Sequence, residues 1–322
     1  MPGHSGQFYI LGIGRQTTLG TPQTVNKFRM RLTGGAVVPD VQVLDLPETD
    51  SSIQRSRAVK VGQLLGGAIE GFVRSDEIAM LAYGALGASA VTGASPFTHT
   101  ATAAASPPYF TLYSVYDTTA LVDQYVDCRI PELTIRGGGG QALSYSASFQ
   151  GRTTTHGAAD PGTPAASAVE PLVYPNVTCT LGGVTTDIVE SFELTSVKNV
   201  AVVQGDTGIG PSAIEMGRWS VTGTMTILFE TDAKWRLWTT GSTTGTVAST
   251  SLATEALTIT ANRSASDEVS MVMTAVELRQ ISLTPDPSGD PLRFTYTFSA
   301  QPHPTIIGNT LSIVSKNLIA TL

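Results

Sequence analysis

Leu143-Ser144-Tyr145-Ser146-Ala147-Ser148-Phe149-Gln150 alternates apolar and polar side chains without a break. In a strand, successive side chains point to opposite faces, so this run gives one face to a core and one to water. A second run, Leu292-Arg293-Phe294-Thr295-Tyr296-Thr297-Phe298-Ser299, repeats the pattern 149 positions later, from Leu143 to Leu292. Each run follows another apolar pair and a turn-forming connector. Leu133 and Ile135 precede four glycines at 137–140; Ile281 and Leu283 precede Pro285-Asp286-Pro287-Ser288-Gly289-Asp290. Gly, Pro, Asp and Ser are the residues that tight turns require, so both units read as hairpins.

Further upstream the same order of elements recurs. Residues 67–74 read as a strand and end at Ser75-Asp76, a helix N-cap signal; Ile78, Leu81, Ala82 and Ala85 follow at helical spacing, and Gly87 closes the helix. The later counterpart is a strand over 217–230, then Thr231-Asp232, then Trp235 and Trp238 on a short helix closed by Gly241. Here the offset is 156, from Ser75 to Thr231. Two different elements recurring in one order predict a duplicated unit. The expected organisation is an N-terminal arm over 1–15, a first unit over 16–156, a linker over 157–171, a second unit over 172–308 and a C-terminal strand or arm over 309–322. The linker lies in a stretch from Thr153 to Pro171 with three prolines and no apolar period. The fold class that follows is mainly β, two tandem sandwich or barrel units, each with one short helix and a long arm loop.

The arms are the segments 36–60 and 198–216, both longer than the ~12 to 15 residues at which structureless loops in compact domains become uncommon. The first holds Val37, Val38, Val41, Val43, Leu44 and Leu46, the second Val200, Ala201, Val202 and Val203. Such segments are too apolar for solvated disorder, and exposed apolar patches mark interaction surfaces. Val41, Val43, Leu44, Leu46, Val200, Val202 and Val203 are therefore the candidate assembly residues, expected to pack against another subunit.

Composition excludes several function classes. Of 322 residues 41% are hydrophobic, yet no stretch approaches the ~18 uninterrupted apolar residues of a membrane helix. Lys and Arg number 19 against 26 Asp and Glu, a net charge of -7, whereas a protein that grips phosphates needs a basic footprint. The acidity is uneven: residues 1–156 carry 11 acidic and 11 basic side chains, residues 187–322 carry 13 and 8. Met1-Pro2-Gly3-His4-Ser5-Gly6 has neither the basic nor the apolar region of a secretory signal, so folding in a cytoplasm is expected. Cys128 and Cys179 stand 51 apart with no Cys or His at metal spacing and are expected to be reduced and buried.

Catalytic signatures are weak throughout. Gly12-Ile13-Gly14 lacks the third glycine and the helix of a dinucleotide site, and the glycines at 137–140 lie between strands rather than before a helix. His4, His99, His156 and His303 are scattered, with no pair placed to share a metal, and no Gly-x-Ser-x-Gly elbow presents a nucleophile. Asp76 and Glu77 suit a helix start, where negative charge complements the dipole. Trp235 and Trp238 at i, i+3 read as a stripe facing a core. No catalytic residue, cofactor or metal is expected.

The order strand, long arm, strand, capped helix and closing hairpin resembles that of the tail tube proteins of long-tailed bacteriophages. The resemblance is carried by Gln16-Thr17-Thr18-Leu19-Gly20-Thr21-Pro22, Gly66-Gly67-Ala68-Ile69-Glu70-Gly71, Leu81-Ala82-Tyr83-Gly84-Ala85-Leu86-Gly87, Phe97-Thr98-His99-Thr100 and Tyr109-Phe110-Thr111-Leu112, and continues through 125–133 and 143–151. It covers residues 10–156 well and thins afterwards, where turn lengths change and the Phe-Thr-His-Thr segment has no counterpart. It implies a structural virion protein of the tail, assembled in the host cytoplasm, whose subunits stack in rings to form the conduit for the genome. Its partners are then copies of itself, three chains to a ring with pseudo-sixfold symmetry or alternatively six, together with tape measure, terminator and tip proteins, and DNA only in transit. The competing readings are another β-rich virion component, such as a capsid decoration or fibre protein, and a carbohydrate-binding module.

Overall fold

The computed structural model describes residues 9–23, 28–46, 58–116, 121–159, 162, 166–186, 189–205, 208–228, 232–250, 254–284, 291–301 and 310–322. Outside the described residues lie positions 1–8 of the expected N-terminal arm, 47–57 and 206–207 of the two arms, most of 160–165 in the linker and the connector 285–290.

The first half of the chain runs β1 (Tyr9–Arg15), β2 (Phe28–Met30), β3 (Leu32–Gly35), β4 (Val38–Asp45), β5 (Ala58–Phe72), α1 (Ser75–Leu86), β6 (Gly87–Thr92), β7 (Phe97–Ala103), β8 (Phe110–Tyr116), β9 (Val122–Gly138), β10 (Ser144–Gly151) and β11 (Thr153–His156). The second runs β12 (Val177–Leu181), β13 (Val184–Thr186), β14 (Val189–Gln204), β15 (Pro211–Leu228), α2 (Ala233–Thr240), β16 (Thr254–Ser264), β17 (Asp267–Thr284), β18 (Arg293–Ala300) and β19 (Ser312–Asn317). The protein is mainly β, and its strands pair antiparallel.

One sheet organises the molecule. Its order is β5, β10, β9, β14, β15, β18, β17, so a strand of the first half pairs directly with a strand of the second at β9 and β14. The pairings recur between the halves. Ser144 lies opposite Phe72 and Arg293 lies opposite Leu228; the offsets of 149 and 156 read from the sequence carry the first pair onto the second. The hairpin of β9 and β10 has a bulge between Ser148 and Gln150, and that of β17 and β18 has one between Leu278 and Gln280, opposite Phe298 and Thr297. In both hairpins the extra residue sits on the longer strand, at the equivalent place. A bulge bends its strand and tightens the local twist, so both halves curve alike.

The halves also exchange strands. β19 pairs with β17 on one side and with β7 on the other, which carries the chain's C-terminal strand onto the first half. The segment Tyr9–Arg15, expected to belong to an N-terminal arm, is β1, held between β2 and β8 with Leu11 and Ile13 fully buried. Residues 166–173 run back over the first half rather than reaching outward: the Leu172 N–H donates to Val73 O, and the Leu143 N–H to Leu172 O. Beyond them, Thr153–His156 at the start of the Pro-rich stretch forms β11 along β9.

The apolar faces of the strands meet α1 in one core. Tyr145, Ala147 and Phe149 of β10 are buried while Ser144, Ser146 and Ser148 are half-buried, the split that the alternation predicts. Every residue of α1 is buried, including Asp76 and Glu77 at its start. The expected cap differs in position. Arg74 occupies the extended N-cap site and, having no acceptor, makes no side-chain cap bond, while Ser75 is already helical; the Arg74 Nε–H donates instead to Val169 O at 2.9 Å. At the other end Gly87, at φ 113°, sends its N–H to Tyr83 O, and Gly241 at φ 74° does the same for α2 with Leu237 O. Left-handed backbone of this kind suits glycine.

Candidate assembly surface

Both long segments are β-hairpins rather than loops. In the first, β4 pairs with the start of β5 from Val38 opposite Gly66 to Asp45 opposite Ala58, with a bulge between Gln42 and Val43. In the second, β14 and β15 continue past Lys198 opposite Trp219 to Gln204 opposite Pro211, with a bulge between Lys198 and Val200. The second bulge falls where the first does: Val43 opposite Lys60 corresponds to Val200 opposite Met216.

The seven candidate residues divide by environment. Val41, Val43 and Leu44 are 49%, 58% and 49% exposed, and Val59 and Val61 on the facing strand are exposed with them. Leu46, Val200 and Val202 are half-buried, and Val203 is exposed beside Ile209. The second arm is better covered because it lies across the end of the first half. Its tip accepts the Gln63 N–H at Ile209 O (2.8 Å), and Pro211 O accepts from Arg152 Nε (3.2 Å). Val202, Pro211 and Ile214 share a cleft with Val38, Leu64 and Leu65. The structure thus brings the bases of the two arms together and leaves the apolar end of the first arm standing clear as a strip of Val and Leu.

A second surface is the wet face that the alternation predicts, whose individual residues the sequence did not assign. The polar face of the main sheet carries rows of short hydroxyl side chains across both halves. One row in register reads Glu70, Ser146, Thr134, Thr195, Thr222, Ser299, Glu277; the next reads Phe72, Ser144, Arg136, Glu193, Thr224, Thr297, Gln280. Thr134 and Thr195 touch across the boundary between the halves, Oγ1 to Oγ1 3.0 Å. In the second row Arg136 is held to Glu193 at 2.9 Å, which neutralises its charge locally.

The same boundary holds a buried cation. Lys198 Nζ donates to Leu86 O at 2.8 Å and to Ala104 O at 3.1 Å, so a lysine of β14 caps the C-terminus of α1. Carbonyls at a helix end attract positive charge, while burial, aided by the Arg129 guanidinium, pushes the ammonium down to about 8. At the other end of α1, burial pushes the Glu77 carboxyl up to about 7, against the opposing pull of Arg74. α2 is unlike α1. None of its residues is buried, though Trp235 stacks on Phe294 at 5.7 Å and the Trp238 Nε1–H donates to Leu278 O at 2.6 Å. Both tryptophans therefore face the core, as the i, i+3 spacing predicts. Cys128 and Cys179 are free and buried, and burial pushes the Cys179 thiol up to about 12.

An extended antiparallel sheet with one wet face, one buried face and two hairpin arms, the first with its end standing clear, defines a mainly β protein built on one long sheet. A family model described as phage tail tube protein matches residues 10–304, nearly the whole chain, and the chain belongs to that family. It is a structural protein of the phage tail. Among curated proteins no match was found.

Proposed function

We propose that this chain assembles with copies of itself into stacked rings that form the tail tube, the conduit through which the genome is delivered. The observation that carries the reading is the sheet that runs without interruption from one half into the other through β9 and β14. A ring wall needs such edge-to-edge continuity between successive units, and it uses strand edges that would otherwise invite aggregation. The equivalent bulges and registers of the two halves support a chain made of two homologous units. Three chains then supply six units to a ring, giving threefold symmetry that mimics sixfold.

The polar face of that sheet supplies the wall of the lumen in this reading. Each lysine or arginine that captures a phosphate strengthens DNA binding, and rows of Ser and Thr with a paired Arg136 offer passing DNA little to hold. The exposed end of the first arm contributes to contacts between copies. Tape measure, terminator and tip proteins complete the tail, which is assembled in the host cytoplasm. Electron microscopy of the purified protein with helical reconstruction tests the reading. Hollow filaments with three chains per layer are the expected result. Six chains per layer, each placing one half around the lumen, would refute the duplication, and solid particles would refute the tube.

A further inference from the structure

Within one chain, the contact between the halves is formed by β9 and β14, with Glu132 to Gly138 running antiparallel to Val197 back to Ser191. The registers fix what corresponds to each partner in the other half. On β17 the counterpart of Ile135 is Leu283, because Arg136 pairs with Ser144 as Thr284 pairs with Arg293. On β4 the counterpart of Thr195 is Val38, because Thr195 pairs with Thr222 as Val38 pairs with Gly66, and Gly66 lies 156 before Thr222.

Both counterparts lie on edges with no strand on their outer side. Among the described residues, β17 pairs with β16 only as far as Glu277, and from Leu278 to Thr284 it pairs with β18 alone. β3 and β4 likewise pair with β5 alone, and between them Val37 is fully buried with its N–H turned to the Tyr9 hydroxyl. The second half also lacks cover that the first half has. Ile135, beneath β14, is 1% exposed, whereas Leu283 is 39% exposed. α1, packed mainly against β7, β9 and β19 with Lys198 of β14 at its C-terminus, is buried throughout, whereas α2 has no buried residue. The second half looks like the first with its neighbour removed.

We infer that the open edge of β17 pairs with the open edge at residues 36–40 of a second copy of this chain, in the register that β9 and β14 use within the chain. Ser282 then stands opposite Val38 as Thr134 stands opposite Thr195, with Thr284 opposite Ala36 and Gln280 opposite Asp40. Leu283, 39% exposed, comes opposite Val37, which its own chain already buries, so the burial gained is that of Leu283. Pro39 supplies no N–H, so one rung of this ladder uses its carbonyl alone, and the Tyr9 hydroxyl must release the Val37 N–H for the next. The first arm of the second copy lies across the end of the second half, as the second arm lies across the first. This contact rests on the ring reading above, and it names the edge, the partner and the register.

Directly opposed residues of an antiparallel pair have Cα atoms about 4.5 to 5.5 Å apart, within disulfide range. The test is oxidation of assembled Val38→Cys/Ser282→Cys chains, read on a non-reducing denaturing gel, with microscopy of the same sample. The native thiols, Cys128 and Cys179, are buried and give little background. Most chains are expected to link, in a ladder that ends at the ring number. A mixture of Val38→Cys chains with Ser282→Cys chains is expected to yield linked dimers only, which shows that the bond joins different chains and covers the case in which the double variant folds poorly. Gln42→Cys/Ser282→Cys, displaced by four residues or about 13 Å along the strand, should stay unlinked. Tubes in which Val38 and Ser282 fail to link, or in which the displaced pair links instead, overturn the register while the ring reading stands. A wild-type chain that remains monomeric at every concentration overturns both.

Discussion

Glu77 shows how a single residue couples this core to pH. It sits in the first turn of α1, where its Oε1 accepts the Arg31 N–H at 3.3 Å and its Oε2 lies 3.9 Å from Arg74 Nη1. Burial outweighs both partners and raises the carboxyl from its usual 4.5 to about 7. A group whose folded pKa is raised contributes stability that is fully present below the unfolded value and lost as pH rises through the folded one. Stability is therefore expected to fall between about pH 4.5 and 7, by on the order of 3 kcal/mol from this group. Glu77→Gln keeps an acceptor for Arg31 without the charge. Its denaturation midpoint should be higher than wild type at pH 7 and flatter across that window; urea titrations at several pH values measure this, and parallel profiles for the two proteins would count against it. The sequence marked Glu77 as part of a helix start. Its burial under the strands packed on α1 depends on the tertiary contact alone.

At the scale of elements the arms were legible by content and not by form. The Val and Leu residues of 36–60 are more than a solvated loop tolerates, and three of the four candidate assembly residues there, Val41, Val43 and Leu44, are exposed in the structure. The hairpin was hidden because neither face of β4 is buried, so Val43 and Leu44 follow each other without alternation. Among the described residues, none from 43 to 46 or from 58 to 60 is buried. Replacing residues 43–60 by a four-residue turn should therefore leave circular dichroism near wild type, with a melting temperature within a few degrees, while abolishing tubes. Tubes of normal length from the shortened chain would remove the arm from assembly. The second arm behaves differently because Ile209 O and Pro211 O already bind the first half.

For the whole molecule the deciding quantity is the charge of the polar face. Thr195, Thr222 and Thr224 lie in its two central rows, at or beside the boundary between the halves. Tubes of the wild-type chain are expected to retain no DNA at moderate salt. Tubes carrying Thr195→Lys, Thr222→Lys and Thr224→Lys should retain short duplexes that are released as salt is raised, since each phosphate contact adds to the salt dependence. Co-sedimentation at two salt concentrations reads this. Retention by the wild type, or none by the lysine tubes, would mean that another surface lines the channel.

Much of the architecture is local and was written in the sequence. Alternation over 143–150 and 292–299 assigns strands and faces, and the offsets of 149 and 156 specify the shared register of Ser144 with Phe72 and Arg293 with Leu228. Side-chain period is a property of a few consecutive residues, so it survives without knowledge of neighbours. Which edges meet is a different matter. The joining of β9 to β14, the passage of β19 onto β7 and the capping of α1 by Lys198 bring together residues 61, more than 200 and 112 positions apart. These contacts are made largely by backbone hydrogen bonds, which every residue except proline can donate and accept, and so they leave no mark in the order of side chains. The tertiary structure alone decided them, and with them which strand edges the chain keeps for itself and which it leaves open.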